Sequence, residues 1–462
     1  MKNIWLLSEE RPKNDIIQKI VEKFAADRHL DFKVDSKIRI LPILQDKTFM
    51  FVYEVTGLTC QNVGKIFIKL ASGNSSFVDY LLFYEDKEPV LESVPLYAIE
   101  ETKTDDSESR NTGVYQRCSK FVFVDFYYPG IKKIMLYNLQ IPQKPKATET
   151  NIFGTRMLLT IGVEIMGKIM ENLTMKPFAS LKEMVAYKDS MKKAHKGNVP
   201  IQISVKSNEI SISGKLFKSG GLGHDPNIGA LSIIALCIRK WEPSKEILIT
   251  RHGLKQKHVG NRNKFILIAN KLGVKLENLK LPTATIHDHY WHYDSKQEKV
   301  GTIFVHLLVE NFTSSKSIYE NHGGCERGYF IKPNGQAVAI KKYKEGKRGL
   351  YKSGDKEAVI HLPDLVIYDN KRKEVLSIEG KTYKNKKAGI AELKNYKYIE
   401  NKIIKSDYHP TKFVRSVVLY GSTQQKIKEP QIGFLLNERG EIILGKKCPL
   451  ILKEAVAALF TF

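Results

Sequence analysis

The chain has 462 residues, 42% of them hydrophobic, enough core material for roughly two to four domains. Its 74 Lys and Arg against 50 Asp and Glu give a formal net charge of +24, which sets it apart from an ordinary enzyme of balanced charge and points to a polyanionic partner. Membrane attachment is the competing explanation, but the longest apolar run, residues 228–238, is too short to span a bilayer, and the opening "MKNIWLLSEERPK" has no leader pattern.

Five dispersed cysteines (Cys60, Cys118, Cys237, Cys325, Cys448) without a CxxC pair argue for a reducing, cytoplasmic setting and against a zinc ribbon. The charge is unevenly spread. Residues 1–150 hold 21 basic and 21 acidic side chains, whereas residues 317–462 hold 28 and 16. A nucleic-acid face is therefore expected in the middle and C-terminal thirds.

The first element in chain order is a helix over residues 15–27, with Ile16, Ile17, Ile20, Val21 and Phe24 on one side. Strand-like runs follow near 38–44, 49–55 and 64–70. The stretch "FVDYLLFYEDKEPVLESVPLYAIEETK" (residues 77–103) then reads as a hairpin. Asp79 precedes an apolar strand over 80–84, and a second strand over 96–101 ends in Glu101-Thr102-Lys103. Alternation along a strand puts Glu101 and Lys103 on one face, with Asp79 brought opposite. The long turn leaves a one-residue slip open, which would put Glu100 in place of Glu101. A polar loop leads into a further helix. There Tyr115 and Gln116 are candidates to support the site, and Arg110 and Arg117 to touch phosphate; ordinary surface or packing is the other reading. Pro142, Pro145 and the polar run to Asn151 read as a linker.

The middle third contains several short motifs. "ILITRHG" (residues 247–253) has the look of a histidine-phosphatase opening without its second histidine, and is set aside. His287, His289 and His292 in "IHDHYWHYD" have a metal-compatible spacing, but the interleaved aromatics favour packing or DNA-facing roles. "FKSGGLGHDPNIG" (217–229) lacks the Lys-Ser/Thr of a phosphate loop and reads as a DNA-gripping or merely flexible turn. The basic stretch "RHGLKQKHVGNRNK" (251–264) offers residue types that read purine edges, or else a solvated charged face. A Ser-, Asn- and Gly-rich loop over 313–328 is expected next. Glu320 or Glu326 there would supply an extra acid to the last third, or lie on the surface.

The last third contains "LPDLVIYDNKRKEVLSIEGK" (residues 362–381), two strands around a charged turn. Glu379 and Lys381 share a face, and folding the hairpin returns Asp364 towards them. Two carboxylates held together need a cation between them, and Lys381 offsets only part of the repulsion. A hard divalent ion such as Mg²⁺ suits the remainder. Beside a lysine that orients or helps deprotonate water, it can hydrolyse a phosphodiester. A helix with Ile390, Leu393, Tyr396, Ile399 and Ile403 on one side follows, its Lys394 and Lys397 off that stripe. Strands near 413–419 and 432–436 come last.

Pro363-Asp364 and Glu379-Gly380-Lys381 resemble the PD-(D/E)xK nuclease superfamily, which includes most type II restriction endonucleases. The resemblance covers about the last third of the chain. The N-terminal hairpin departs from it by Val78 in place of Pro. It implies a mixed α/β (α+β) chain in which two restriction-endonuclease-like cores, each a mixed sheet flanked by helices, occupy residues 1–150 and 317–462. A DNA-recognition region over 151–316 lies between. It also implies Asp364, Glu379, Lys381, Asp79, Glu101 and Lys103 as catalytic residues, with Gly380 and Thr102 completing the two Mg²⁺ (or Mn²⁺) ligand sets.

The expected activity is metal-dependent, site-specific cleavage of double-stranded DNA leaving 5′-phosphates. Each core would cut one strand of an asymmetric site, so a monomer would suffice. A companion DNA methyltransferase is implied by the family, and no membrane is involved. A repair or nicking enzyme with one working site, and a nucleic-acid-binding protein with purely structural hairpins, are the alternatives.

Overall fold

The computed structural model describes residues 1–73, 76–102, 113–138, 149–167, 174–191, 202–213, 225–252, 255–259, 263–294 and 297–462. In chain order the first elements are β1 (Asn3–Ser8), α1 (Asn14–Asp27), β2 (Phe32–Gln45), β3 (Thr48–Cys60), β4 (Ile66–Gly73), β5 (Tyr80–Glu85) and β6 (Tyr97–Thr102). Next come α2 (Gly113–Tyr127), β7 (Lys132–Tyr137), α3 (Glu149–Thr160), β8 (Val163–Gly167), α4 (Leu181–Ser190), β9 (Gln202–Val205), β10 (Glu209–Ser213), α5 (Asp225–Trp241), β11 (Glu246–Thr250), α6 (Asn263–Leu272), β12 (Val274–Leu276) and β13 (Trp291–Tyr293). The last third holds α7 (Lys299–Phe312), β14 (Lys316–Glu320), β15 (Arg327–Ile331), β16 (Ala337–Lys341), β17 (Leu365–Asp369), β18 (Glu374–Thr382) and α8 (Lys386–Glu392). It ends with β19 (Lys412–Tyr420), β20 (Ile432–Leu436), β21 (Ile442–Leu444) and α9 (Leu450–Thr461). The chain is α/β, with mixed sheets flanked by helices.

Contacts divide the chain into two compact units, each assembled from separated stretches: residues 1–71, 85–88 and 293–462 in one, 72–84 and 89–292 in the other. This differs from the consecutive segments 1–150, 151–316 and 317–462 expected above. In the first unit the difference has a physical cause. Arg11 reaches Glu310 and Glu320, the Arg39 guanidinium donates to the Asn311 carbonyl, and Lys299 donates to the Glu9 carbonyl. Such pairings across some 300 residues are invisible to a linear reading.

In this first unit, β2 and β3 form a long antiparallel hairpin that turns at Asp46-Lys47, both at positive φ, as a tight reversal matched to strand twist requires. β4 joins β3 antiparallel, and β1, unforeseen in the sequence, lies parallel to β4. The apolar side of α1 is buried as its spacing dictates. The C-terminal sheet runs β16-β15-β14-β17-β18-β19-β20-β21. Only β18–β19 and β19–β20 pair parallel. β14 lies inside the stretch expected as a loop, because Ile318 and Tyr319 are buried in the core beneath the Ser- and Asn-rich flanks.

The connection from β18 to β19 is helical over residues 383–408. Its Leu393, Tyr396, Ile399 and Ile404 share one core cluster with Val366, Val375, Val417 and Leu419. Gly380 faces the other way, towards Thr302 of α7. Alternation along β18 therefore places α7 and the 383–408 stretch on opposite faces of the sheet.

The second unit holds the run of paired strands β5-β6-β7-β8 and a four-stranded sheet ordered β12-β11-β10-β9. β5–β6 is antiparallel, and β6–β7 and β7–β8 are parallel. Hairpin, helix and parallel strand follow one another here (β5-β6-α2-β7) as they do in β17-β18-(383–408)-β19. The apolar run 228–238 is the middle of α5, packed against α2 so closely that Gly229 has no room for a Cβ beside the Tyr115 carbonyl. No helix among the described residues is long and apolar enough to cross a membrane.

Candidate active site

Leu365 pairs with Ile378, so Asp364 sits one step before the strand pair, opposite Glu379. Its main-chain N–H donates to the Ile378 carbonyl (3.0 Å), and its Oδ2 accepts the Gly380 N–H (2.8 Å). Gly380, expected as a ligand, thus also orients Asp364. A Cβ there would lie 2.4 Å from Thr302 Cγ2, so only glycine lets the strand pass. Glu379 is buried. It accepts hydrogen bonds from Lys381 Nζ at Oε1 and from the Tyr396 hydroxyl at Oε2. Two further acids reach the ammonium: Glu298 before α7 (4.0 Å) and Glu392 in α8 (3.9 Å).

The electrostatics are those of a centre short of positive charge. Burial pushes Asp364 above the usual carboxylate range; the Gly380 N–H and Lys381 pull it back only in part, and Glu298 raises it again. Burial likewise raises Glu379, and the Asp364 carboxylate and a hydrogen bond with Glu392 raise it further, against Lys381. Burial lowers Lys381, but Glu379 and Asp364 outweigh it and keep the ammonium above its ordinary value. One lysine does not satisfy the buried Glu379 and the half-buried Asp364 together. The donor set is all oxygen and fits a hard divalent cation.

The N-terminal hairpin repeats this geometry with a different register from the one expected. Tyr80 pairs with Ile99, so the residue opposite Asp79 is Glu100, not Glu101. The Asp79 N–H donates to Glu100 Oε2 (3.2 Å), and Asp79 Oδ2 accepts the Glu101 N–H (2.6 Å), matching Asp364 and Gly380. By register Glu100 stands where Glu379 does, Glu101 where Gly380 does, and Thr102 where Lys381 does. Glu101 is turned to Asn138, whose side-chain amide donates to its Oε1 (2.9 Å). Thr102 is buried, and its carbonyl accepts the Asn138 N–H (3.0 Å).

Lys103 and Arg110 lie outside the described residues, as does the side chain of Gln116. The cations on Glu100 come from α2: Lys120 Nζ at 2.9 Å and Arg117 Nε at 3.4 Å. Burial nevertheless lifts Glu100 to about 8, helped by Asp79 and opposed by Lys120 and Arg117. Arg117 also donates to the Glu101 carbonyl, so it braces the hairpin. The Tyr115 hydroxyl is buried against the Thr150 carbonyl, which is packing.

Other candidates are placed elsewhere. Glu320 is bound by Arg11 and Lys13 and does not join Asp364; Glu326 pairs with Arg348. His252 is hydrogen-bonded to the Glu277 carbonyl at the end of the β11 turn. His287, His289 and His292 form no metal-sized cluster among the described residues. Glu298, Glu392, Tyr396 and Lys120 went unread as site residues. Glu392 and Tyr396, four apart and so on one helical face, carried the one available signal. Family models, curated proteins and solved structures were all compared with the chain, and none matches it.

Proposed function

We propose that the chain is a Mg²⁺-dependent endonuclease of double-stranded DNA whose working centre is Asp364, Glu379 and Lys381. The observation that carries this reading is the pair of carboxylates at the β17–β18 hairpin, the buried Glu379 and the half-buried Asp364, both raised by desolvation, Glu379 also by Asp364, and served by one ammonium. Asp364 and Glu379 would hold the cation. Mg²⁺ bound there supplies Lewis-acid activation of the phosphodiester and a more acidic water. Lys381 stands beside Glu379 to bind the phosphate oxygen that gains charge and to orient the attacking water. Tyr396 holds the Glu379 carboxylate in one orientation throughout.

The nucleic-acid side of the proposal is supported by the helical stretch that covers this centre. Lys384, Lys387, Lys394, Lys397, Lys402 and Lys405 are all exposed on it, while its opposite side is core. Lysines of this density on one element suit phosphate contacts that position a duplex without reading its sequence. The finer reading is a type II restriction enzyme with a companion methyltransferase, cutting one strand of an asymmetric site at each hairpin.

A nicking enzyme with one working centre is the second reading, and a specific observation favours it. In the N-terminal hairpin the register puts Thr102 at the position that Lys381 holds in the other, and Glu100 is already engaged by two cations. Digestion of a sequenced plasmid with Mg²⁺, with ends mapped on both strands, tests all of these. Discrete double-strand ends support restriction, ends on one strand support nicking, and DNA that is shifted in a gel but intact means a binding protein.

A further inference from the structure

Behind the β17–β18 hairpin lies a cluster that the proposed nuclease does not use. His306 of α7 is buried; Glu320 closes β14, and His322 follows it. His306 Nδ1 and His322 Nε2 face each other at 3.0 Å, and Glu320 Oε2 lies 3.4 Å from the first and 3.9 Å from the second. Zinc bonds of about 2.0–2.1 Å at tetrahedral angles separate neighbouring ligand atoms by about 3.3–3.4 Å. The three atoms form one face of such a tetrahedron, with edges slightly uneven about that length.

The proton arrangement supports a ligand role. The Thr302 hydroxyl lies 3.1 Å from the Lys299 carbonyl and 2.9 Å from His322 Nδ1, so it can donate to the first and accept from the second. In that arrangement His322 carries its proton on Nδ1 and aims the lone pair of Nε2 into the cluster. This is how an outer hydrogen bond sets a metal-binding tautomer. In the metal-free chain the 3.0 Å pair then holds its proton on His306 Nδ1, and that proton moves to Nε2 when an ion takes its place. Arg11, clamped by its Nε at 2.6 Å on Glu320 Oε2 and by Nη1 at 3.0 Å on Glu310, holds that carboxylate ionised and fixed. Arg11 and Lys13 already balance Glu310 and Glu320, so a cation must be held by the nitrogen donors. That selects a borderline transition ion over Mg²⁺.

We propose that His306, Glu320 and His322 form a zinc site that ties α7 to β14. The Asn321 N–H donates to the Asp364 carbonyl (2.7 Å), so the ion would stiffen the strand that carries Asp364. The inference does not depend on the nuclease reading.

The test uses the full-length protein, stripped with a chelator and titrated with Zn²⁺ alone and with Co²⁺ alone. Expected are one tightly bound Zn²⁺ per chain that excess Mg²⁺ does not displace, and the strong visible absorption of tetrahedral Co²⁺. His322→Gln should weaken Zn²⁺ binding by about 100-fold or more, while Glu379→Gln leaves it unchanged. If His322→Gln fails to fold, His322→Cys decides: a thiolate-to-cobalt charge-transfer band supports the site, and its absence overturns it. Zn²⁺ affinity unaltered in a folded His322→Gln, or lost in Glu379→Gln, also overturns it.

Discussion

At Asp364 and Glu379 the proposed metal requirement becomes a matter of proton linkage. Without a cation both carboxyls bind their protons more tightly in the folded chain than in the unfolded one. Their contribution to stability is then complete below about pH 4 and is lost as the pH rises through the raised values. The metal-free protein should therefore lose stability from about pH 4 upward, and Mg²⁺ should bind more tightly as pH rises because it displaces protons. Calorimetry in two buffers of different ionisation enthalpy should show proton release on Mg²⁺ binding, and Glu379→Gln should diminish it. Release equal in the two proteins would remove Glu379 from the metal site. Register makes a second prediction. Glu100→Gln, rather than Glu101→Gln, should slow any strand cleavage by the N-terminal hairpin, by about 10² or more, read as nicked circles accumulating from plasmid. The C-terminal triad was legible because its short turn fixes the pairing. The N-terminal turn is long and leaves register open, and Lys120 approaches from a helix that no strand alternation can register.

Gly380 shows how one position on an element holds the site together. Its N–H orients Asp364, and its missing Cβ makes room for Thr302. Gly380→Ala should therefore destabilise the chain by about 1–3 kcal/mol through overpacking, seen as a lower denaturant midpoint, and weaken Mg²⁺ binding with it. The helical stretch that covers the site was read correctly on its apolar side as far as Ile399. Beyond that, residues 400–404 form a π turn, which buries Ile404 beside the half-buried Ile403 in the same core cluster. The buried Glu400 on that turn is paired with Arg415 and bonded to Ser377. A single wide turn has no signature in a 3.6-residue period. On the same stretch, Lys394→Gln with Lys402→Gln should flatten the dependence of log affinity for duplex DNA on log salt by about 0.9 per lost phosphate contact. An unchanged slope would mean that those lysines face solvent only.

For the whole molecule, local patterns revealed most strands and helices, but not which of them assemble together. The first 71 residues have every mark of belonging with the hairpin that follows them. Contacts also join them to the last third, through Arg11, Arg39 and Lys299 across some 300 residues. The central claim is that Asp364, Glu379 and Lys381 cut DNA with a divalent ion, and one assay bears on it directly. Supercoiled plasmid is incubated with Mg²⁺ and either wild-type protein or Glu379→Ala, and both are also assayed for duplex binding. Wild type should break the DNA and stop in excess EDTA, whereas Glu379→Ala should bind as well yet leave the strand served by that hairpin intact. Wild-type cleavage that survives EDTA, or a Glu379→Ala chain that linearises plasmid at the wild-type rate, would contradict it.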